Sequence, residues 1–536
     1  MRAEAVFAPL ASAALAVAAA AVLELALRPR PMFLRPWRAW ALHAGALCVV
    51  SGVLTALLGN PWLAAGFLTV LSLILVLVGN AKAASLDEPF VFQDYEYFTD
   101  MIRYPRLYIP FFGWGNFLVS VAGGLALLYF AVTEAGSFLR FDWRASLLGG
   151  GAVAALGLAC IRAADRRPLS MSFDPRQDLR AHGFVACLWR YGMSGRTLPA
   201  VASPFEGLAS PPFRLSRGPQ RALPHMVAVQ SESFFDPRKL YPGIRPEVLA
   251  EYDKLKAQSR AWGTLRVPAW GANTIRTEFS FLSCVDNAVL GAHRFNPYRA
   301  VARGWKVATL AAFLRGLGYR TVCIHPYSRS FYLRDKVMPR LGFDDFWGIE
   351  RFAHAQRFGP YIGDTAVADV ILETLQSAST PTFVFAITME NHGPLHLEKV
   401  GPEDERPLYT SAPPEGFEDL TVYLRHLRNA DAMIGKLAAG ANACGRPLEL
   451  CWFGDHVPIM PKVYSALGKP CGDVEYVLWG GCGAGAAAQR EIGAGRLAMT
   501  WLDHAGLPGS GSLSSSSHHP SNNNIEDRPS CVTTTC

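Results

Sequence analysis

Toward its C-terminal end the chain reads L-C-W-F-G-D-H-V-P, residues 450–458: an apolar run, a glycine, then an acid beside an imidazole. Asp455 and His456 can be a polar loop satisfied by its own backbone, or two ligands of a metal ion, and the pair alone leaves both readings open. Three other stretches share this grammar. H-M-V-A-V-Q-S-E-S-F puts Glu232 just past the run Met226–Val229. Y-R-T-V-C-I-H-P-Y-S-R-S-F-Y-L-R puts His325, Tyr332 and Arg334 past Thr321–Ile324, and T-F-V-F-A-I-T-M-E-N-H-G-P puts His392 past Phe383–Ile387. A lone histidine or aspartate at a strand end is more often structural than functional. Four such clusters are harder to dismiss, because open parallel α/β sheets take their ligands in the crevice beyond the carboxyl ends of the strands. A fifth stretch, G-A-N-T-I-R-T-E-F at 271–279, offers the Thr274 hydroxyl after small residues. Its bland reading is a turn with Thr274 as helix N-cap, supported by Glu278.

The elements that must position these groups follow from periodicity. From His225 to about Leu507, short β-branched runs alternate with amphipathic stretches such as Trp305–Gly318, Thr365–Gln376 and Leu420–Leu437. That alternation predicts a mostly parallel sheet covered by helices on both faces. Residues 508–536, rich in Ser and Asn, read as a low-complexity tail in which His518 and His519 are solvated rather than catalytic.

The N-terminal part is different. Half of the 536 residues are hydrophobic and 18% are charged, and the apolar excess lies in the first 165. Val6–Leu27, Trp40–Gly59, Trp62–Val78, Ile109–Val132 and Ala145–Ile161 each approach the roughly 20 residues that cross a hydrocarbon core. The first is long and followed by further apolar hairpins, so it reads as a retained span rather than a signal peptide. Residues 1–165 are therefore expected to be a transmembrane α-helical domain of four or five helices, 166–224 an Arg- and Pro-rich linker, and 225–507 the catalytic domain. Residues 81–108 read as a loop or interfacial segment. The net charge of +7 includes Arg28, Arg30, Arg35 and Arg38 beside the spans, which suits anionic lipid heads and not nucleic acid. The eleven cysteines form no C-x-x-C pair, although Cys444, Cys451, Cys471 and Cys482 are close enough in sequence to pair under oxidising conditions.

Taken in order, S-E-S-F at 231–234, G-A-N-T-x-x-x-E-F at 271–279, H-P-Y-x-x-S-F-Y-x-R at 325–334, L-G-F-D at 341–344, T-M-E-N-H-G-P at 388–394 and F-G-D-H at 453–456 resemble the lipoteichoic acid synthase and phosphoglycerol transferase family, within the alkaline phosphatase and sulfatase superfamily. The resemblance implies that Glu232, Thr274, Asp455 and His456 hold one divalent cation, Mn²⁺ or Mg²⁺, with Thr274 also the nucleophile. It implies that His325, Tyr332, Arg334 and His392 bind the phosphoglycerol group. The implied donor is phosphatidylglycerol, and the acceptor an envelope glycan or a teichoic-type polyglycerol phosphate. Tyr332 stands where lipoteichoic acid synthases carry tryptophan, and Tyr327 where they tend to have a small polar or acidic residue, so the acceptor pocket is expected to differ from theirs. N-A-K-A-A-S-L-D-E-P-F-V-F-Q-D at 80–94 looks more like the Gram-negative branch that decorates periplasmic glucans.

Chemistry agrees with these roles. A threonine hydroxyl becomes a useful nucleophile when a divalent ion lowers its pKa, and two carboxylates, a hydroxyl and an imidazole suit a hard cation. A sulfatase would need cysteine or serine in C/S-x-P-x-R, where this chain has T-I-R-T. Phosphoethanolamine transfer, phosphodiester hydrolysis, and a catalytically silent membrane-tethered binding module are the competing readings. Headgroup transfer to an envelope glycan calls for a multi-pass protein of the bacterial inner membrane with its catalytic domain outside the cytoplasm. The arginines at 28–38 and Arg162, Arg166 and Arg167 run against the positive-inside tendency in that orientation with five spans. Four spans, with Ala145–Ile161 lying along the interface, would reconcile the two.

Overall fold

A computed structural model describes residues 3–133, 143–208, 222–480 and 488–508, in two compact units, Met1–Thr197 and Leu198–Cys536. Cys482, His518 and His519 lie outside the described residues.

Five helices among the described residues of the first unit are long and apolar enough to cross a membrane. They are α1 (Ala3–Glu24), α2 (Trp37–Leu58), α3 (Pro61–Leu86), α4 (Trp114–Thr133) and α5 (Trp143–Asp165). Asn60 starts α3 by accepting from the amides of Trp62 and Leu63, so the Asn60-Pro61 turn separates two spans by capping the second. The helix then runs to Leu86, well past Val78, and takes in the start of the stretch expected to be a loop.

Ala145–Ile161, for which a place along the interface is the alternative to a fifth span, lies within α5. It lies antiparallel along α2, with Gly157 against Gly45 and Gly150 against Gly52. A Cβ on Gly52 would come within 2.3 Å of the Gly150 carbonyl oxygen. Glycine permits that backbone approach, as small residues do between membrane helices. Residues 175–194, expected within a linker, form α6 (Pro175–His182) and α7 (Phe184–Ser194) and group with the N-terminal unit. Their anchor is Glu24, the one charge of the first span. It pairs with Arg35 at 2.8 Å and His43 at 3.1 Å, and accepts from the amides of Phe184 and Val185 at 3.2 Å. Arg35, expected at lipid heads, is instead buried in this cluster, because an isolated Glu24 carboxylate there would lack a counter-charge.

The second unit is built on an eight-stranded sheet in the order β10-β2-β9-β8-β1-β7-β3-β4. The central strands are β3 (Arg320–Ile324), β7 (Thr382–Ile387), β1 (His225–Ser231) and β8 (Leu448–Gly454), all parallel. Toward one edge lie β9 (Val474–Gly480), which alone runs antiparallel, then β2 (Ala261–Arg266) and β10 (Ala488–Gly493). At the other edge is β4 (Asp345–Trp347). The short β5 (Arg357–Phe358) and β6 (Tyr361–Ile362) form a separate hairpin.

β1 is buried along its whole length, as a strand covered on both faces must be. Met226 and Ala228 pack into one core with α8 (Thr274–Ser283) and α11 (Ala494–His504). Val227 and Val229 pack into the other with α9 (Asp364–Gln376) and α10 (Glu418–Gly440). The sequence-predicted strands fall inside the observed ones. Of Trp305–Gly318, only Leu310–Gly316 is helical, with Thr309 capping it at the amide of Ala312.

Candidate active site

Four neighbouring strands, β8, β1, β7 and β3, deliver their following residues to one end of the sheet. Asp455 and His456 follow β8, Glu232 follows β1, Thr388 follows β7 and His325 follows β3. The four polar clusters therefore converge because their strands are adjacent and parallel.

Glu232, Asp455 and His456 are all buried, and each offers one ligand atom within 4.8 Å of the others. Asp455 Oδ1 accepts from the amides of Ser233 at 2.8 Å and His456 at 2.9 Å, which fixes the carboxylate, while its buried Oδ2 has no hydrogen-bond partner among the described residues. His456 Nδ1 faces the carbonyl of Val457 at 3.1 Å; a carbonyl only accepts, so Nδ1 carries the proton and Nε2 holds the lone pair. That Nε2 is 3.4 Å from Asp455 Oδ2 and 3.6 Å from Glu232 Oε1. An orphaned carboxylate oxygen, a second acid and an oriented imidazole lone pair fit a divalent cation. Burial, and then the neighbouring Asp455, push Glu232 up to about 8, a repulsion that a bound cation would relieve. The glycine of F-G-D-H has a steric reason: a Cβ on Gly454 would lie 2.2 Å from the carbonyl oxygen of Phe234. Only a bare backbone lets β8 end so near the Glu232 turn.

Thr274 is the first residue of α8, not its N-cap. The N-cap is Asn273, held at φ 68°, and neither Thr274 nor Glu278 acts in a capping box. The Thr274 hydroxyl has no hydrogen-bond partner among the described residues. One turn on, Thr277 Oγ1 donates to the carbonyl of Asp455 at 2.8 Å, which ties the start of α8 to the candidate metal ligands. Ser233, Asn273, Tyr332 and Leu333 all have positive φ, so the loops around the site hold conformations that non-glycine residues adopt only under constraint.

Arg334 is almost fully buried, and its Nη1 donates to His325 Nε2 at 3.1 Å. Burial and the Arg334 charge hold His325 well below the ordinary histidine range. Tyr332 lies beside Arg334, whose guanidinium carbon is 5.4 Å from the ring centre. His392 Nδ1 is 2.7 Å from the Gly393 carbonyl oxygen; burial lowers its pKa, and the charges of Asp455 and Arg334 both act on it. The Arg334 charge also acts on Glu232, lowering its pKa against the larger effects of burial and Asp455. Tyr361, on β6, was not foreseen; its ring is 6.3 Å from Tyr327 and 5.7 Å from His392.

Glu278 and Tyr298 were also missed as site components. Glu278 was read as a capping residue, yet it is fully buried against Arg334. Its sequence signals were its place in G-A-N-T-x-x-x-E-F and its position four residues after Thr274, on the same helix face. Behind the His392 loop a further network joins Glu390 to His426 at 2.9 Å, and His426 to Glu398 at 3.1 Å. Cys444, Cys451 and Cys471 are free thiols, so no disulfide joins them.

A mostly parallel sheet that gathers an acid, a helix-opening threonine and an Asp-His pair at its strand ends has the architecture of the alkaline phosphatase and sulfatase superfamily. The sulfatase family model matches residues 224–507, more than half of the chain, and the chain belongs to that family. It is similar to the capsular polysaccharide biosynthesis protein RkpI of Rhizobium meliloti (strain 1021), 32% identical over 250 residues. That match covers 46% of this chain and 44% of RkpI, so the chain aligns with less than half of that relative. A proposed cyclic β-1,2-glucan modification protein of the same strain is 25% identical over 460 residues, 81% of this chain and 70% of that one. In fold, the chain is similar to the integral membrane lipooligosaccharide phosphoethanolamine transferase A (EptA) of Neisseria meningitidis, with a TM-score of 0.51 at 14% identity, covering 87% of this chain and 88% of that one.

Proposed function

We propose that this protein is a metal-dependent phosphoglycerol transferase that moves glycerol phosphate from phosphatidylglycerol, through a phospho-threonine, to an envelope glycan or polyglycerol-phosphate acceptor. The observation that carries the reading is the buried Glu232, Asp455 and His456 set with the Thr274 helix pinned to Asp455 through Thr277. Glu232, Asp455, His456 and the Thr274 hydroxyl are the residues that would hold Mn²⁺ or Mg²⁺. Such an ion, when bound, lowers the hydroxyl pKa and polarises a phosphoryl oxygen.

Thr274 Oγ1 gives up its proton and attacks the phosphorus of the donor phosphodiester. The bond from phosphorus to the diacylglycerol oxygen breaks, and that oxygen takes a proton and departs as diacylglycerol. An acceptor hydroxyl then attacks the phosphorus, returning Thr274 and losing its own proton. Arg334 neutralises the developing phosphoryl charge. His392, with Nδ1 engaged by Gly393, has Nε2 as its site for proton exchange. His325 Nε2 already accepts from Arg334, which argues for an orienting role rather than proton donation.

Phosphoethanolamine transfer is the second reading, favoured by the fold-level likeness to EptA across most of the chain. The half-buried Tyr327, set edge-on to the buried Tyr361, supplies a flat amphipathic face suited to a polyol or sugar. The relatives named for capsular polysaccharide and cyclic glucan work point the same way for the acceptor.

The test measures diacylglycerol release by the full-length protein from vesicles of phosphatidylglycerol or phosphatidylethanolamine, with and without Mn²⁺. We expect release from phosphatidylglycerol alone, dependent on the ion, and lowered by at least about a thousand-fold in Thr274→Ala. Release from phosphatidylethanolamine only would replace this reading with the second. Full turnover in Thr274→Ala would end the covalent route.

A further inference from the structure

The helix that opens with Thr274 carries an acid that the transfer steps above do not use. Glu278 lies one turn beyond Thr274 and receives two hydrogen bonds from Arg334, Nε to Oε1 at 3.1 Å and Nη2 to Oε2 at 2.7 Å. The Tyr298 hydroxyl also donates to Oε1. On the far side of Arg334, Nη1 donates to His325 Nε2, and His325 Nδ1 faces the carbonyl of Ile387 at 3.1 Å. A carbonyl cannot donate and a guanidinium cannot accept, so both contacts select the same neutral tautomer of His325.

Arginine has five N–H bonds, and these contacts engage three of them: one at Nε, one at Nη2 and one at Nη1. One N–H on Nη1 and one on Nη2 are left. The guanidinium is thus held by its Nε edge and presents the opposite end. Glu278, Arg334 and Tyr298 are each at most 1% exposed, so the clamp is screened from water and its geometry is rigid.

We propose that Glu278 is the positioning residue of the phosphoryl pocket: by holding the Nε and Nη2 edge of Arg334 it aims the remaining N–H groups at the non-bridging oxygens of a bound phosphate. Because Thr274 and Glu278 share one helix, four residues apart, the attacking hydroxyl and the phosphate grip are carried by the same rigid element. Any displacement of α8 moves both together, which preserves their alignment. The identity of the phosphate rests on the transferase reading; the clamp itself does not.

Four variants of the full-length protein test it: Glu278→Gln, Tyr298→Phe, Arg334→Lys and Glu278→Gln with Arg334→Lys. Each is measured for thermal unfolding, for kcat and KM on phosphatidylglycerol, and for binding of glycerol 3-phosphate by calorimetry. Misaiming a catalytic grip by an ångström costs on the order of 100-fold. We therefore expect Glu278→Gln to lower kcat/KM about 100-fold, mostly in kcat, and to weaken glycerol 3-phosphate binding about ten-fold. The double variant should be no worse than Arg334→Lys, since Glu278 acts only through Arg334. Multiplied losses in the double variant, or wild-type kcat/KM in Glu278→Gln, overturn the proposal. If Glu278→Gln does not fold, Tyr298→Phe decides: a several-fold fall in kcat supports the clamp, and an unchanged kcat overturns it. A wild-type protein that binds glycerol 3-phosphate in a Glu278-dependent way but releases no diacylglycerol would sink the transferase reading and leave the clamp standing.

Discussion

Asp455 shows how much one side chain can be asked to do. Oδ1 is consumed by two amides that set its angle, which leaves Oδ2 available to the proposed cation. Asp455→Asn keeps the shape and removes the charge, so we expect Mn²⁺ affinity of the full-length protein to fall about 100-fold or more by calorimetry, with little change in unfolding temperature of the metal-free form. An unchanged affinity would remove Asp455 from the ligand set. His426 makes a different prediction. Burial disfavours its charge, but the hydrogen bonds to Glu390 and Glu398 prevail and push it up to about 9. A group with a folded pKa above its unfolded one adds stability that is complete below about 6.5 and disappears as pH rises through about 9. At its full extent this is worth about 3 kcal/mol. Denaturant unfolding across that range should show the decline, and His426→Gln should flatten it; equal slopes in both proteins would contradict the assignment.

Among the elements, glycines decide what can approach. At the end of β8, Gly454→Ala would drive a methyl group into the Phe234 carbonyl, 2.2 Å away, and separate Asp455 from the Glu232 turn. We expect about 1–3 kcal/mol of destabilisation together with lost metal binding. Between α2 and α5, a leucine at Gly150 would force the backbones apart, since a Cβ there already meets the Gly52 carbonyl at 2.5 Å. The unfolding temperature of Gly150→Leu in detergent should drop by several degrees, whereas Gly151→Leu, with open space around its Cβ, should leave it unchanged. Equal drops would show that the α2–α5 contact carries little of the stability of this unit.

For the whole molecule, the reading calls for the second unit to lie outside the cytoplasm, where envelope acceptors are. Five helices are long and apolar enough to cross, and α5 packs along α2; if all five cross, the proposed orientation would put the Arg28–Arg38 segment on the outer side. The buried pairing of Arg35 with Glu24 lowers the weight of that arginine in a charge-bias argument. A phosphatase reporter fused after Thr197 should be active only if it is exported; activity of a cytoplasmic reporter at the same point would remove the proposed acceptor. Much of this was legible in the chain itself. Apolar run length marks the spans, alternation of short β-branched runs with amphipathic stretches marks the covered parallel sheet, and a polar cluster after each central strand marks where a site must form. These are local patterns, and local periodicity encodes them. The sequence could not say that Glu278 faces Arg334 rather than capping its helix, that Tyr361 stands beside His392, or that Arg35 turns inward to Glu24. Those partners are 56, 31 and 11 positions apart, and only the packing of the sheet, its helices and the membrane bundle brings two opposite charges, or two rings, close enough and dry enough to choose each other.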